Sequence, residues 1–581
     1  MTITEALKII QRAPSDAPRF QVMLACGFTS LHLKTFLGAH LQTAQAEKKV
    51  TVSDGLYGDL AGTVERAATS QPLDALVMAL EWSDIDPRLG FRSAGSWGLN
   101  AANDIVASAR LMLRRLTTAT VRIPAGTRIV LSLPTLPMPP LFHTPGWKAS
   151  PEYLELQGQI WEVAAELAKN GNVLIVNPQP LAASSPENGR YDFKGDLHSG
   201  LPYTLPHADA LAASLAMAVS PPAPKKGIIT DLDDTLWRGI VGEVGPENVS
   251  WDLNGHAQFH GLYQRLLASL SEHGILVAIA SKNDPAIVGQ AFERADLLLR
   301  RDQVFPAEVH WNAKSTSVAR ILQAWNIAAD SVLFVDDSPM ELAEVAAAHP
   351  VIECVLFPKD DYQAGLAMLS RLRDWCGKER ISKDDAYRLQ SIRQGAAFRA
   401  QAVSSGTPEG FLESVDATVT FDFSAANEPR VLELVNKTNQ FNLNGRRFSE
   451  SEWIVLNSHS DAINVAVSYA DKFGPLGTIS VLAGRQRDDR LVVDCWVMSC
   501  RAFARRIEHQ TLRLLFESTE CNEMEFRFVP TPKNTPLQDF LAGVIGEIPT
   551  DTFTMSRRQF EKTCPALYHQ VREIRRTQVH G

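Results

Sequence analysis

The sequence predicts an α/β protein of three domains, with two parallel sheets followed by a mixed α+β domain. Three observations point there. Up to residue 220, apolar runs of strand length alternate with helical patterns, the grammar of a parallel sheet covered by helices. Ser220-Pro221-Pro222-Ala223-Pro224-Lys225-Lys226 then interrupts the chain, and prolines this dense suit neither a helix nor a central strand, so the stretch reads as a linker. After residue 403 the pattern changes to strand runs suited to a mainly antiparallel sheet flanked by helices.

Taken in order, Phe20–Cys26, Ala75–Leu80, Thr127–Leu133 and Asn172–Val176 read as buried strands, and Leu154–Lys169 as an amphipathic helix between them. Residues 1–220 therefore make one α/β domain. In residues 221–380 the same Rossmann-like alternation restarts. Gly227–Thr230, Ile275–Ala280 and Val332–Val335 are strands, while His260–Glu272 and Pro285–Ala295 are helices. Residues 381–402 are charged and free of proline, which suits a connecting helix. In residues 403–581, Thr418–Phe423, Ala462–Ser468, Thr478–Leu482 and Leu491–Met498 are strands, with helices at Pro429–Lys437 and Ile507–Glu517.

Composition narrows the function classes. The 581 residues carry 57 Lys+Arg against 66 Asp+Glu, a net charge of −9. An acidic balance without a long basic block argues against nucleic-acid binding. The most basic stretch, Arg557–Arg576, reads as a solvated helix. No apolar run reaches the roughly 18 residues of a membrane span, and Met1–Pro18 lacks the apolar core of a secretion signal. The seven cysteines are scattered and never form a CxxC pair, which argues against a disulfide framework or zinc site. A cytoplasmic location is the expectation.

The chemistry concentrates in Lys226–Gly245. Asp231 and Asp233 follow an apolar strand directly, at the carboxyl end of a parallel strand where open α/β sheets bind ligands. Adjacent carboxylates repel, and a divalent cation relieves that cost. Two further strand ends supply matching groups. Ile275–Ala280 ends at Ser281, just ahead of a helix begun by Pro285, a helix N-terminus suited to phosphate. Val332–Val335 ends in Asp336-Asp337-Ser338-Pro339, where Asp337 is either a ligand or a helix cap. Between them, Lys314 precedes a helical run and can meet a phosphate as a point charge.

Asp231-Leu232-Asp233-Asp234-Thr235, Ser281, Lys314 and Asp336-Asp337 stand in the order of the four motifs of the haloacid dehalogenase (HAD) superfamily, which this region resembles. The resemblance implies Asp231 as nucleophile and Asp233 as general acid and base. It implies phosphate contacts from Ser281, Lys314, Leu232 and Thr235, and Mg2+ held by Asp231, Asp233, Asp336 and Asp337. DLDDTLWRGIVGEVG, SKNDP, FVDDSPMELAEV, NKTNQFNLNGRRF and DKFGPLG are further similar to FkbH-like proteins of HAD subfamily IIIC. That likeness implies a phosphorylated three-carbon acyl donor of the 1,3-bisphosphoglycerate type, and loading of its glyceryl unit on the phosphopantetheine arm of an acyl carrier protein in a polyketide-type pathway. A phosphomonoesterase acting on a small metabolite, or a carrier-binding scaffold, are the alternatives. Ala280 stands where several glyceryl-loading members carry Cys, Cys354 reads as a buried apolar residue, and Arg238 and Asp234 replace residues usual in the family.

By the same resemblance, residues 403–581 form a GNAT-like (acetyltransferase-like) domain. Its diphosphate loop, Arg501–Arg506, has Ala504 and Arg506 at glycine positions, which argues against acetyl-CoA binding. Asn283, Asn439, Gln440, Arg446, Arg447 and Arg501 are the candidates for substrate or carrier recognition. Residues 1–220 resemble an SGNH-hydrolase domain without its GDS nucleophile, having Ala25-Cys26-Gly27-Phe28-Thr29-Ser30 instead. Asp196 and His198 then read as surface-loop residues, Trp82 as packing, and the domain as a binding module.

Overall fold

A computed structural model of the chain describes residues 1–14, 16–70, 72–96, 101–140, 145–378, 381, 383–404 and 408–575. It divides into two compact units, Met1–Pro222 and Ala223–Gly581. Among the described residues, no helix is long and apolar enough to cross a membrane.

The first unit is built on five parallel strands: β1 (Arg19–Ala25), β2 (Lys49–Asp54), β3 (Ala75–Ala79), β4 (Arg128–Ser132) and β5 (Val173–Ile175). Their order is β2-β1-β3-β4-β5. Every residue of β3 is buried, because helices cover both faces of a parallel sheet and leave no room for a polar side. The amphipathic segment forms the helix Pro151–Leu167, capped by Ser150 and begun by proline. The sequence does not announce β2: it is an edge strand whose side chains are exposed or half-buried, so it needs no apolar run.

In the second unit a second parallel sheet contains β6 (Gly227–Thr230), β7 (Leu276–Ser281), β8 (Ala307–Val309), β9 (Val332–Asp336) and β10 (Glu353–Leu356). The order is β10-β9-β6-β7-β8. Strand β6 is central and wholly buried, with β9 on one side and β7 on the other. Strand order reverses there, so residue 231 enters the crevice where doubly wound sheets place their ligands. The short strands β8 and β10 escape sequence reading because three or four partly exposed residues carry no periodicity.

A third, mixed sheet follows the connecting helix Lys383–Ser404. It comprises β11 (Thr418–Asp422), β12 (Phe441–Asn442), β13 (Ala462–Asp471), β14 (Gly474–Arg487), β15 (Arg490–Met498), β16 (Glu523–Phe526), β17 (Phe553–Ser556) and β18 (Gln570–Ile574). Its path is β17-β16-β15-β14-β13-β11-β18, with β12 on β15. The β15/β16 and β11/β18 pairs are parallel, the others antiparallel. One expectation is corrected: the basic C-terminal stretch is not a single helix. A helix covers Arg557–Thr563, Cys564-Pro565 ends it, and β18 then pairs with β11. Pro565 cannot continue the helix.

Glycine at position 227 seats β6. A Cβ there would lie 2.4 Å from the ring of Trp325, which is fully buried and donates its indole N–H to the Phe305 carbonyl at 2.6 Å. Gly227→Ala should therefore cost about 1–3 kcal/mol through overpacking, read as a lower urea midpoint at unchanged slope. An unchanged midpoint would show that the ring can give way.

Candidate active site

Three strand ends converge at the crevice. Asp231 follows β6, and its N–H donates to the Val335 carbonyl at 3.0 Å, which fixes it beside Asp336 at the end of β9. Asp231 is 6% exposed and Asp336 fully buried. Lys314, the first residue of the helix Lys314–Trp325, is 4% exposed and places its ammonium between them. Nζ lies 3.0 Å from Asp231 Oδ1 and 2.6 Å from Asp336 Oδ2. Burial pushes Asp231 up to about 7, with Lys314 opposing and the charge of Asp336 adding to the rise. Burial also raises Asp336 against the pull of Lys314. For Lys314, burial works against the charge, but the two carboxylates outweigh it and hold the ammonium above its usual range.

Asp233 faces a different set of partners. Its Oδ1 accepts from Trp237 Nε1 at 2.9 Å and from the Val241 N–H at 3.1 Å. Its Oδ2 accepts from Asn283 Nδ2 at 3.0 Å, and the same amide donates to Ser281 Oγ at 3.1 Å. Asn283 is 4% exposed. This residue, expected to recognise a substrate or carrier, is an internal tie between Ser281 and Asp233. The helix N-terminus expected to take phosphate is also already filled, since the Asp284 carboxylate accepts from Ala286 and Ile287 N–H at 2.7 and 3.3 Å. Near Ser281, phosphate-binding capacity therefore rests in side chains.

Thr235 is fully buried, and its hydroxyl accepts from the Asp337 N–H at 3.1 Å. It braces the acidic pair from inside instead of facing the crevice. The side chain of Leu232 lies in the core, while its carbonyl closes the turn by accepting from the N–H groups of Thr235, Leu236 and Trp237. Asp337 does not cap the next helix: Ser338 Oγ does, accepting from Glu341 N–H. The Asp337 carboxylate is thereby free of the helix, and its Oδ2 accepts from Lys359 Nζ at 2.9 Å. Oxygens of Asp231, Asp336 and Asp337 lie within 4.8 Å of one another. Asp231 and Asp336 share a single ammonium, Lys314, which leaves negative charge uncompensated among these oxygen donors, so the set fits a small hard cation such as Mg2+.

The residues around the motifs are also placed. Ala280 is fully buried, on the sheet face packed against Trp325 and Val318. Cys354 packs against the same cluster, and burial raises its thiol. Neither position presents a nucleophile to the crevice. Arg238 donates to the His256 carbonyl at 2.9 Å. Asp234 adopts a left-handed backbone (φ 50°) and pairs with Lys359.

The remaining candidates lie in the third-sheet region and act mainly as brackets. Arg447 donates to Asn439 Oδ1 and the Val435 carbonyl, Arg446 lies over the Phe448 ring, and Gln440 is exposed. Asn436 exchanges hydrogen bonds with the Phe448 backbone at 2.8 and 2.9 Å, while Asn442 Oδ1 accepts from Asn444 and Gly445 N–H. Arg501 reaches Ser499 and Ser391. Ala504 and Arg506 both hold the left-handed backbone that glycine favours, with φ of 65° and 57°. Arg506 is tied to Glu409 and the Ala566 carbonyl.

In the first unit, Cys26 is buried and donates to the Phe28 carbonyl at 3.5 Å, and burial drives its thiol far up. His198 is exposed. Asp196 is not the surface-loop residue expected, being buried and accepting from the Tyr191 hydroxyl at 2.8 Å. Trp82 packs in the core. Sequence reading missed Glu81, a buried carboxylate accepting from Thr135 Oγ1 at 2.6 Å, Tyr203 OH at 2.7 Å and Leu136 N–H at 3.1 Å. Its only signal was an acidic residue directly after an apolar strand.

No family model and no curated protein matches the chain. Among solved structures it is similar to the N-terminal part of a Bacteroides fragilis protein containing a phosphatase domain complexed with Mg. Identity there is 20%, over 64% of this chain and 98% of that one, with a TM-score of 0.48. An uncharacterized protein from Corynebacterium glutamicum is similar at 17% identity over 26% of this chain and 98% of that one, with a TM-score of 0.19.

Removing the central ammonium tests the site without any substrate. Lys314→Met leaves two buried carboxylates facing each other and should cost about 3–5 kcal/mol in metal-free protein. Urea unfolding in chelator, repeated with Mg2+, should show the loss and its partial recovery by the cation.

Proposed function

We propose that the chain is a Mg2+-dependent phosphoryl-group hydrolase of the HAD type, working through Asp231. The observation that carries this reading is the buried Asp231–Lys314–Asp336 group beside a separately anchored Asp233. One carboxylate sits where charge is neutralised, and the other is oriented for proton transfer. An Asp231 oxygen attacks phosphorus while the bond from phosphorus to the leaving oxygen breaks, and Asp233 delivers a proton to that oxygen. Water then attacks the aspartyl-phosphate, Asp233 takes its proton, and the phosphorus–Asp231 bond breaks to release phosphate. Ser281 Oγ and Lys314 Nζ hold the phosphoryl oxygens and offset their charge. Asp231, Asp336, Asp337 and the Asp233 carbonyl would hold Mg2+, which supplies positive charge against the anionic phosphoryl group.

For the substrate we propose a phosphorylated three-carbon acyl donor of the 1,3-bisphosphoglycerate type, with the glyceryl unit passed to the phosphopantetheine thiol of an acyl carrier protein. The resemblance to FkbH-like chains and the short segment between Thr235 and β7, too small for a large cap, support this. The SGNH-like and GNAT-like regions then serve as binding modules. With Ala280 and Cys354 both turned into packing, the carrier's own thiol attacks the acyl carbonyl, the carbon–oxygen bond to the 1-phosphate breaks as that phosphate leaves, Asp231 takes the 3-phosphate, and no enzyme thioester forms. Those two positions equally favour a second reading, a phosphomonoesterase without acyl transfer.

Incubation with Mg2+, 1,3-bisphosphoglycerate generated in situ and a phosphopantetheinylated carrier separates these readings. Glyceryl mass on the carrier and none on the enzyme is the expected result. Phosphate release without acyl mass would leave the phosphomonoesterase. Asp231→Asn should abolish release of the 3-phosphate, and Asp233→Asn should slow it by about 10²–10⁴-fold; undiminished release of the 3-phosphate from Asp231→Asn would refute the hydrolase reading.

A further inference from the structure

We infer that Lys359 is a positioning residue of the cation site, holding the Asp337 carboxylate in place while Asp234 holds Lys359. This rests on the reading of Asp231, Asp336 and Asp337 as cation ligands. Lys359 Nζ lies 2.9 Å from Asp337 Oδ2 and 2.9 Å from Asp234 Oδ2, so one ammonium joins the loop after β6 to the end of β9. Lys359 comes from outside the four motifs, two residues beyond Phe357. That loop is itself fixed, because the Phe357 N–H donates to the Asp336 carbonyl at 2.8 Å and its buried ring packs on Phe259 and His260.

The backbone of Asp337 is pinned separately, by Thr235 Oγ1, and Ser338 has taken over the helix cap. What remains to orient is the carboxylate, and Lys359 engages it through one oxygen. Asp234 is shaped for the other half of the bridge: its left-handed backbone lets Oδ1 accept from Gly239 N–H at 2.9 Å while Oδ2 meets Lys359. Asp231 and Asp336 have a different countercharge, Lys314, so Lys359 is specific to the third carboxylate. A partner that donates to a ligating carboxylate sets its orientation, and losing such a partner commonly costs 10–100-fold in metal affinity.

Calorimetric titration of the full, metal-free chain with Mg2+ tests this independently of any substrate. Lys359→Met should weaken Mg2+ binding about tenfold. Lys359→Arg should keep most of the affinity, because its fork can reach both carboxylates. Asp234→Asn should weaken binding in the same direction, and the double variant should bind no worse than Lys359→Met, since both act through one bridge. Equal or tighter binding by Lys359→Met at wild-type thermal stability would overturn the inference while leaving the cation site standing. Should Lys359→Met fail to fold, Asp234→Asn reads the same bridge, and unchanged binding there overturns it too. A wild-type chain that bound no Mg2+ would overturn both the inference and the site.

Discussion

The second unit is organised around one ammonium buried between two carboxylates. Lys314 is nearly inaccessible, and so are Asp231 and Asp336, which face it at 3.0 and 2.6 Å. Two like charges at about 4 Å repel by roughly 4 kcal/mol at an effective dielectric of 20, and burial adds its own cost to each. Stability alone is a weak explanation for such a group, because replacing buried ion pairs by apolar residues of similar volume is often neutral or stabilising. The proposed function accounts for it: with a cation held by the carboxylates, Lys314 and that cation would present preset positive charge, which receives an arriving phosphoryl anion without reorganisation.

Everything nearby holds that arrangement still. Strand β6 is flanked by β7 and β9, so its end, the Ser281 end and the Asp336 end share one crevice. Thr235 fixes Asp337 from below, Ser338 relieves it of capping duty, and Asn283 ties Ser281 to Asp233. The two proposed catalytic carboxylates thus stand in different surroundings. Asp231 is desolvated beside a cation, while Asp233 accepts three N–H groups that orient both its oxygens. On the proposed function, that difference would allow one to act as nucleophile and the other to move a proton.

Much of this was legible in the sequence, because the informative residues sit where strand patterns end. A buried parallel strand is a continuous apolar run, and the residue after it is forced to the carboxyl edge of the sheet. Asp231, Ser281 and Asp336 could be placed on that ground alone. The contacts of Asn283 and Thr235 could not be read there, since they depend on which neighbour a side chain meets across the turn. Lys359 carries no local signal: it lies 125 positions from Asp234, and the β6–β9 and β9–β10 pairings together bring the two near each other. Edge strands such as β2 and β10 stayed hidden because exposure removes the apolar periodicity. In the C-terminal stretch, charge imitated a helix where backbone pairing makes a strand.

In the proposed function, Asp231 takes the phosphoryl group. The most direct measurement is rapid acid quench of the Mg2+-loaded chain turning over an acyl phosphate or a phosphomonoester, followed by mass spectrometry of the peptide bearing Asp231. One hydroxylamine-labile phosphoryl group is expected on Asp231, more of it in Asp233→Asn, whose second step lacks its base, and none in Asp231→Asn. Phosphate release at full rate with no adduct on this peptide in either the wild type or Asp233→Asn would contradict that role of Asp231.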